Sequence, residues 1–439
     1  MLTPLYRLVF LLSTAEKQTL IYPFGGSFME TGREILHCDL NSFYASVEIM
    51  LYPSLRGKAV AVCGSTEDRH GIVLAKSESA KKAGIKTGMV NWEAKRLCPG
   101  LVVLPPQYDQ YAKYSRLARE IYERFTDRVE PYGMDECWLD VTGSGKSARA
   151  IAEHIRKIMP AELGLTVSIG VSFNKVFAKL GSDMKKPDAV TVIGRDDYRE
   201  KIWKLPAGDL LYVGRATTKK LASYGILTIG DIAATEPAFL RRILGINGLC
   251  LWRFARGEDS ARVMPCGYKP TVKSIGHGIT CTSNLQTPYD VYKVILELSQ
   301  DVGHRLRVHE LAALGVQLSV KDENLEVRLC QTRLPVSTQN AVEIAQMAYE
   351  LFEHSYRWHA DVRALTVRAI SLVGIGQPEQ LNLFDDLQKR ERTNRLEEAV
   401  EKIRARFGNR AVRQAVLLGD LKIPGQSLSE VILPGMMYR

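Results

Sequence analysis

The sequence predicts a multidomain α/β protein, and three observations lead there. A chain of 439 residues exceeds what one hydrophobic core usually encloses, so about three or four compact units are expected. Over 34–195 apolar strand-like runs alternate with helical stretches, the pattern of a mixed α/β unit. Over 269–373 the order is strand, helix, two strands, helix, strand, which closes into a compact α/β sandwich. With 46% apolar and 25% charged residues, wholesale disorder and collagen-like repetition are excluded.

Residues 1–33 carry a short apolar patch and then Gly25, Gly26 and Gly32, and read as an N-terminal extension. It is either a weakly ordered arm or, with Met29 close to the organised chain, a product of start-site choice over 1–28. Residues 34–39 form an apolar run ending on a carboxylate, a buried strand. Helices are expected over 107–126 and 146–159, with a smaller basic segment at 52–103. Residues 197–268 read as short helices punctuated by Gly214, Gly225, Gly230, Gly245 and Gly248. In the sandwich, strands are expected at 274–281, 314–320, 325–330 and 362–372, and helices at 288–308 and 337–352. A helix over 387–407 closes the chain, with Leu396, Val400, Ile403 and Phe407 on one stripe suited to packing on the body or on a partner.

Lys and Arg number 59 against 49 Asp and Glu, a net charge of +10, which favours a polyanionic partner without naming one. Eight cysteines never fall at metal-ligand spacing, so a reducing, cytoplasmic setting fits better than a zinc site or a stapled secreted scaffold. No apolar run is long enough to span a bilayer, and no membrane partner is expected.

Three acids stand where strands end or turn: Asp39, and the pair Asp135 and Glu136. Acids flanked by apolar strand residues are costly to bury unless paired or bound to a cation. Together they suit two divalent ions about 4 Å apart, which activate an attacking oxygen and stabilise a leaving pyrophosphate. A hairpin tip bearing two solvated acids is the alternative.

Four motifs surround these acids: His37-Cys-Asp-Leu-Asn-Ser-Phe-Tyr-Ala-Ser-Val-Glu48, Gly133-Met-Asp-Glu-Cys-Trp-Leu-Asp140, Gly170-Val-Ser-Phe-Asn-Lys-Val-Phe-Ala-Lys179 and Asp183-Met-Lys-Lys-Pro187. In this order they resemble the Y-family of translesion DNA polymerases, particularly its polymerase IV branch, from about residue 34 to about 384. The resemblance implies a right-hand polymerase. Its palm, mixed α/β and ferredoxin-like, would be 34–51 and 104–196, with small fingers at 52–103. A helix-hairpin-helix thumb would be 197–268 and a βαββαβ little finger 269–373. Residues 374–439 would be a linker, a clamp-binding peptide and a terminal helix.

The resemblance further implies a DNA-directed DNA polymerase performing distributive, low-fidelity translesion synthesis on primer-template DNA with deoxynucleoside triphosphates, as a monomer. Asp39, Asp135, Glu136 and the Leu40 carbonyl would hold two Mg²⁺ ions, with Mn²⁺ a possible substitute. Tyr44 matches the steric gate that excludes the ribose 2′-hydroxyl; the alternative is a plain core aromatic beside Phe43. Asn41, Ser42 and Phe43 lie in one turn whose backbone N–H groups suit phosphate oxygens. Lys186 matches a triphosphate-contacting lysine. In the fingers, where many relatives have Tyr and Arg, this chain has Glu78 and Lys81; Lys81 and Lys76 can still meet phosphate, whereas Glu78 would repel it. That departure resembles the polymerase V branch. Ile72 and Leu74 would roof the nascent pair, and their bulk implies narrower lesion tolerance.

Residues 211–221 and 224–231 resemble a helix-hairpin-helix, with Val213, Gly214, Arg215 and Lys219 toward the DNA backbone and Tyr212 where the first hairpin glycine is usual. A plain helix pair is the alternative. Lys273, Ser274 and Gly276 open the little finger on its duplex-tracking edge strand. Gln380, Leu381, Leu383 and Phe384 resemble the peptide that docks on the sliding clamp. The rival reading is a catalytically silent DNA- and clamp-binding adaptor of the same fold, and intact acids argue against it. Basic residues outnumber acidic ones by 11 to 7 in 197–268 but match them, 11 to 11, in 269–373. Duplex grip is therefore expected to lean on the thumb rather than the little finger.

Overall fold

The structure, a computed structural model, describes residues 32–67, 69, 71–376, 387–408 and 411–424. The chain opens with β1 (Ile35–Leu40) and α1 (Phe43–Leu51), then β2 (Val60–Cys63), β3 (Val73–Lys76), α2 (Glu78–Lys82), α3 (Asn91–Leu97) and β4 (Val102–Leu104). Next come α4 (Tyr108–Tyr122), β5 (Val129–Pro131), β6 (Glu136–Asp140), α5 (Ala148–Leu163), β7 (Val167–Ser172), α6 (Lys175–Met184) and β8 (Val190–Ile193). These build two sheets. The central one runs β5-β6-β1-β7-β8, and a smaller one runs β3-β2-β4. β1 is the middle strand of the central sheet, antiparallel to both β6 and β7, and all six of its residues are buried. Having cover on both faces, β1 buries even its polar residues His37 and Asp39.

Gly170 of β7 lets α6 lie on the sheet at backbone contact. A Cβ there would stand 1.9 Å from the Ala178 carbonyl, so no larger residue fits. Asn174 then starts α6 by accepting from the Phe177 N–H at 2.7 Å, a side-chain cap.

A helical region follows: α7 (Tyr198–Ile202), α8 (Arg215–Ala222), α9 (Ile229–Ala234), α10 (Pro237–Leu244) and α11 (Ile246–Ala255). Its core includes Leu221, Ile229, Ile232 and Leu240 and continues into Phe173 before α6 and Phe177 within it. Thr228 and Asp231 form a reciprocal capping box at the start of α9.

The last unit contains β9 (Ser274–Leu285), α12 (Pro288–Val308), β10 (Leu311–Asp322), β11 (Val327–Thr338), α13 (Ala341–Ser355) and β12 (Val362–Gly374), with sheet order β11-β10-β12-β9. The expected order of elements is observed; the first three strands are longer than expected, at 274–285, 311–322 and 327–338, and one helix start is moved. Ser337 belongs to β11, and the helix expected from 337 begins at Ala341, because the Asn340 side chain accepts from the N–H groups of Val342 and Glu343.

α14 (Leu387–Phe407) docks by its polar side rather than its apolar stripe. Arg307 pairs with Glu397 and Glu401, His304 Nδ1 lies 2.5 Å from Glu401, and Arg404 donates to Gln300 at 2.6 Å. Leu396 and Phe407 are left 62% and 66% exposed, so the expected packing of that stripe on the body is not what holds the helix. Leu417 and Leu421 do enter the core of the sandwich.

Candidate active site

The antiparallel register of β1 with β6 sets Asp39 directly opposite Glu136. Asp135 ends the turn before β6, and its carbonyl accepts from Leu40 N–H at 2.9 Å. The three acids therefore converge at one end of the central sheet, not at a free hairpin tip: Asp39 is 6% exposed.

Two lysines from α6 and the loop behind it reach this corner. Lys186 Nζ lies 2.7 Å from Asp39 Oδ2 and 2.8 Å from Asp183, and Lys179 Nζ lies 2.6 Å from Glu136 Oε2. Burial pushes the Asp39 carboxyl up to about 7, against the pull of Lys186. Burial, helped by the charge of Glu136, takes Asp135 up to about 6. Burial acts the same way on Glu136, but His37 and Lys179 outweigh it and leave that carboxyl at about 2. The wholly buried His37 is itself lowered to about 4, chiefly by burial, so its ring is neutral near pH 7. Three carboxylates thus converge beside two lysines, and burial holds two of them above their ordinary range despite that positive charge. Hard oxygen donors short of countercharge suit a divalent cation such as Mg²⁺.

Asn41 has a different role from the expected one. Its backbone N–H donates to the Thr166 carbonyl at 2.9 Å, so it has no hydrogen left for phosphate. Its side chain instead accepts from Asp188 N–H at 2.8 Å, pinning the loop that carries Lys186, and donates to Ser168. Ser42 and Phe43 stand at the N-terminus of α1, where the first amides have no acceptor within the helix.

Tyr44 stacks on Tyr111 with ring centroids 4.2 Å apart and planes at 10°, and its hydroxyl points at Met134 Sδ. Tyr111 is fully buried and donates to the buried Glu48 at 2.5 Å. Glu78 is neutralised locally, accepting from Ser42 Oγ at 3.2 Å with Lys81 at 3.9 Å, which tempers the repulsion expected of it. Lys76 donates to Thr87 at 3.1 Å. Ile72 is 39% exposed and Leu74 is half-buried.

In the helical region Tyr212 occupies the left-handed backbone region with φ 70°, the conformation for which glycine is usual. Gly214 caps α8, and Arg215 and Lys219 are exposed on it. Val213 departs from expectation: its N–H is taken by the Leu210 carbonyl at 3.0 Å and its side chain is buried in the core, so neither can reach DNA.

β9 is an edge strand, so every second residue turns its amide away from β12. Lys273 just before it is exposed, Ser274 begins it, and Gly276 makes room for Arg368 of β12, whose Cβ would lie 3.1 Å from a Cβ at 276. The sandwich is not electrically uniform. From Gly315 to Lys321 the paired register puts Lys321, Arg333 and Arg368 on the sheet face turned away from the helices. Over that register no Asp or Glu shares the face. The balancing acids sit elsewhere, among them Asp290, Glu297 and Asp301 on α12 and Glu343, Glu350 and Glu353 on α13. Equal counts therefore conceal a basic face, which bears on the expectation that duplex grip leans on the thumb rather than the little finger. Gln380, Leu381, Leu383 and Phe384 lie outside the described residues.

Sequence reasoning missed several neighbours. Lys179 and His37 lie inside quoted motifs and could have been flagged by their spacing from the acids. Tyr111, 67 positions from Tyr44, carried no local signal.

The chain matches the impB/mucB/samB family over residues 38–183 and that family's C-terminal domain over 272–383. It is 52% identical over 392 residues to a DNA polymerase IV of Acetivibrio thermocellus, covering 88% of this chain and 98% of that protein. It is 36% identical over 392 residues to DNA polymerase IV 1 of Bacillus subtilis, covering 88% and 93%. Among solved structures it resembles a Y-family DNA polymerase chimera, with a TM-score of 0.68 at 22% identity over 77% of this chain and 99% of that one. Among the described residues no helix is long and apolar enough to cross a membrane.

Proposed function

Because the chain belongs to the impB/mucB/samB family, a polymerase IV-like group of Y-family DNA-directed DNA polymerases, we propose that it extends primers across damaged template bases using the acidic corner at Asp39, Asp135 and Glu136. The observation that carries the site assignment is the charge imbalance there: three converging carboxylates, two of them raised by burial, against two lysines.

Mg²⁺ held by these acids and the Leu40 carbonyl would ease deprotonation of the attacking 3′-hydroxyl and relieve charge on the leaving pyrophosphate. The chain's own residues do the rest. Lys186, free to exchange Asp39 for an incoming triphosphate, brings positive charge to the leaving group. Lys179 keeps Glu136 ionised and aimed. The N-terminus of α1 at Ser42 and Phe43 offers amides to phosphate oxygens. Tyr44, braced by Tyr111, closes the space beside the sugar. The α8 region, through Arg215 and Lys219, and the basic sheet face around Arg368 meet the DNA backbone. Residues 34–51 and 104–196 act as palm, 52–103 as fingers, 197–268 as thumb and 269–373 as little finger.

Primer extension with Mg²⁺ and the four triphosphates tests the assignment. Asp135→Asn with Glu136→Gln should lower the rate by about a thousandfold or more while leaving primer-template binding in place. Equal rates in the variant and the parent would end the assignment. For recruitment, the Gln380–Phe384 segment sits in sequence between β12 and α14. Its removal should abolish stimulation by the sliding clamp and spare clamp-free extension; loss of both would mean a folding role.

A further inference from the structure

A second cluster of metal-ligating side chains lies in the C-terminal sandwich, on a different sheet from the palm acids. Asp322 ends β10, Glu326 immediately precedes β11, and His359 stands in the loop between α13 and β12. One donor atom from each lies within 4.8 Å of the other two.

The protonation of His359 can be read from its partners. Nδ1 is 2.6 Å from the Arg357 carbonyl, and a carbonyl only accepts, so Nδ1 carries the hydrogen. In the neutral ring Nε2 then presents a lone pair. It lies 3.3 Å from Asp322 Oδ2, on a carboxylate only 2% exposed. Asp322 is buried while His359 and Glu326 are exposed, and two lone-pair-bearing atoms this close repel, so the arrangement calls for a cation shared between them, either a proton on Nε2 or a metal.

Three features favour the metal. First, the exposed Glu326 brings a third donor within 4.8 Å of the other two, which a His–Asp pair sharing a proton does not need. Second, zinc bonds to imidazole nitrogen and carboxylate oxygen of about 2.0–2.1 Å give a tetrahedron edge of about 3.3–3.4 Å, matching the observed His359–Asp322 spacing. Third, the other ring nitrogen is already held by a backbone carbonyl, the outer contact that orients ligating histidines. The framework is also prepared. Asp322 Oδ1 accepts from Glu326 N–H at 2.9 Å. Glu323 and Asp361 bond to one another in both directions, Glu323 N–H to the Asp361 carbonyl at 3.0 Å and Asp361 N–H to Glu323 Oε1 at 3.3 Å, tying the His359 loop to the β10–β11 turn.

We propose that Asp322, Glu326 and His359 form a zinc-type divalent site that staples the β10–β11 turn to the loop before β12, completed by solvent on its exposed side. One nitrogen and two oxygens select a borderline transition ion over Mg²⁺ or Ca²⁺.

Equilibrium dialysis of the full chain against Zn²⁺ in excess Mg²⁺ tests this, comparing the parent with His359→Ala and Glu326→Gln. The parent should hold one Zn²⁺ more per chain than His359→Ala, and Glu326→Gln should bind that ion about tenfold more weakly or worse. Primer extension reports whether each variant is folded. If His359→Ala has lost extension, Glu326→Gln, altered at an exposed position, decides alone. Equal zinc content and affinity in parent and variants would overturn the proposal and leave a protonated histidine beside Asp322.

Discussion

The acidic corner at Asp39, Asp135 and Glu136 and the outer face of the C-terminal sheet are both charged, yet they are built in opposite ways. In the acidic corner the charges are largely buried and networked, Lys186 shared by Asp39 and Asp183 and Lys179 held by Glu136. On the sheet, Lys321, Arg333 and Arg368 are spread across three strands among polar residues and the apolar Val327, Leu329 and Ile370, with no acid among them. Burial raises the energy of every unpaired charge, so one substitution in the palm disturbs the whole corner. An exposed basic face is screened and additive, so each residue on it counts for little by itself.

Substitutions that exploit this contrast should rank accordingly. After the acids, the largest effect is expected from Lys186→Ala, which strips Asp39 of its partner and the triphosphate of a cation; single-turnover incorporation should fall by about tenfold to a hundredfold. Lys186→Arg should recover part of it, and a Lys186→Ala enzyme with parental rates would mean that the pair is merely structural. Tyr44→Ala should leave deoxynucleotide insertion within a few fold and raise ribonucleotide insertion by roughly a hundredfold, measured as the ratio of kcat/KM values. Tyr111→Leu should move the same ratio in the same direction but less, since it removes the brace and not the gate.

On the sheet the readout is salt dependence rather than rate. Combining Lys321→Ala, Arg333→Ala and Arg368→Ala should flatten the slope of log affinity against log salt for duplex DNA by about 0.9 for each phosphate that the variant no longer neutralises. An unchanged slope would return duplex grip to the thumb. The smallest effect is expected at the capping box of α9. Asp231→Ala should cost about 1 kcal/mol of stability, seen as a lower thermal midpoint with activity intact. Backbone hydrogen bonds from Thr228 and Leu227 hold the Asp231 carboxyl below its ordinary range. That contribution is present above the carboxyl's unfolded value and lost as pH falls through the folded one, so parent and variant should converge in acid.

Much of the molecule is legible in the sequence because it is local. The strand ending on Asp39, the acidic pair at 135–136, the lysine before Pro187 and the six-element order of the sandwich all sit in short stretches whose residue types and spacing carry their meaning. What is not legible depends on distant partners. Asn41 reads as a phosphate-facing amide, yet Thr166 takes its N–H and Asp188 takes its side chain. Val213 reads as a DNA contact, yet Leu210 and the core claim it.

The same division holds for electrostatics. Sequence alone determined the family, the acids and the total charge, because identities and spacings are properties of the chain itself. Only the tertiary structure decided where that charge goes: which acid meets which lysine, that Tyr44 rests on Tyr111, and that an evenly balanced C-terminal unit presents a basic face. Strand pairing places side chains from remote positions on one surface with a two-residue alternation, and that register is a property of contacts between segments rather than of any one of them.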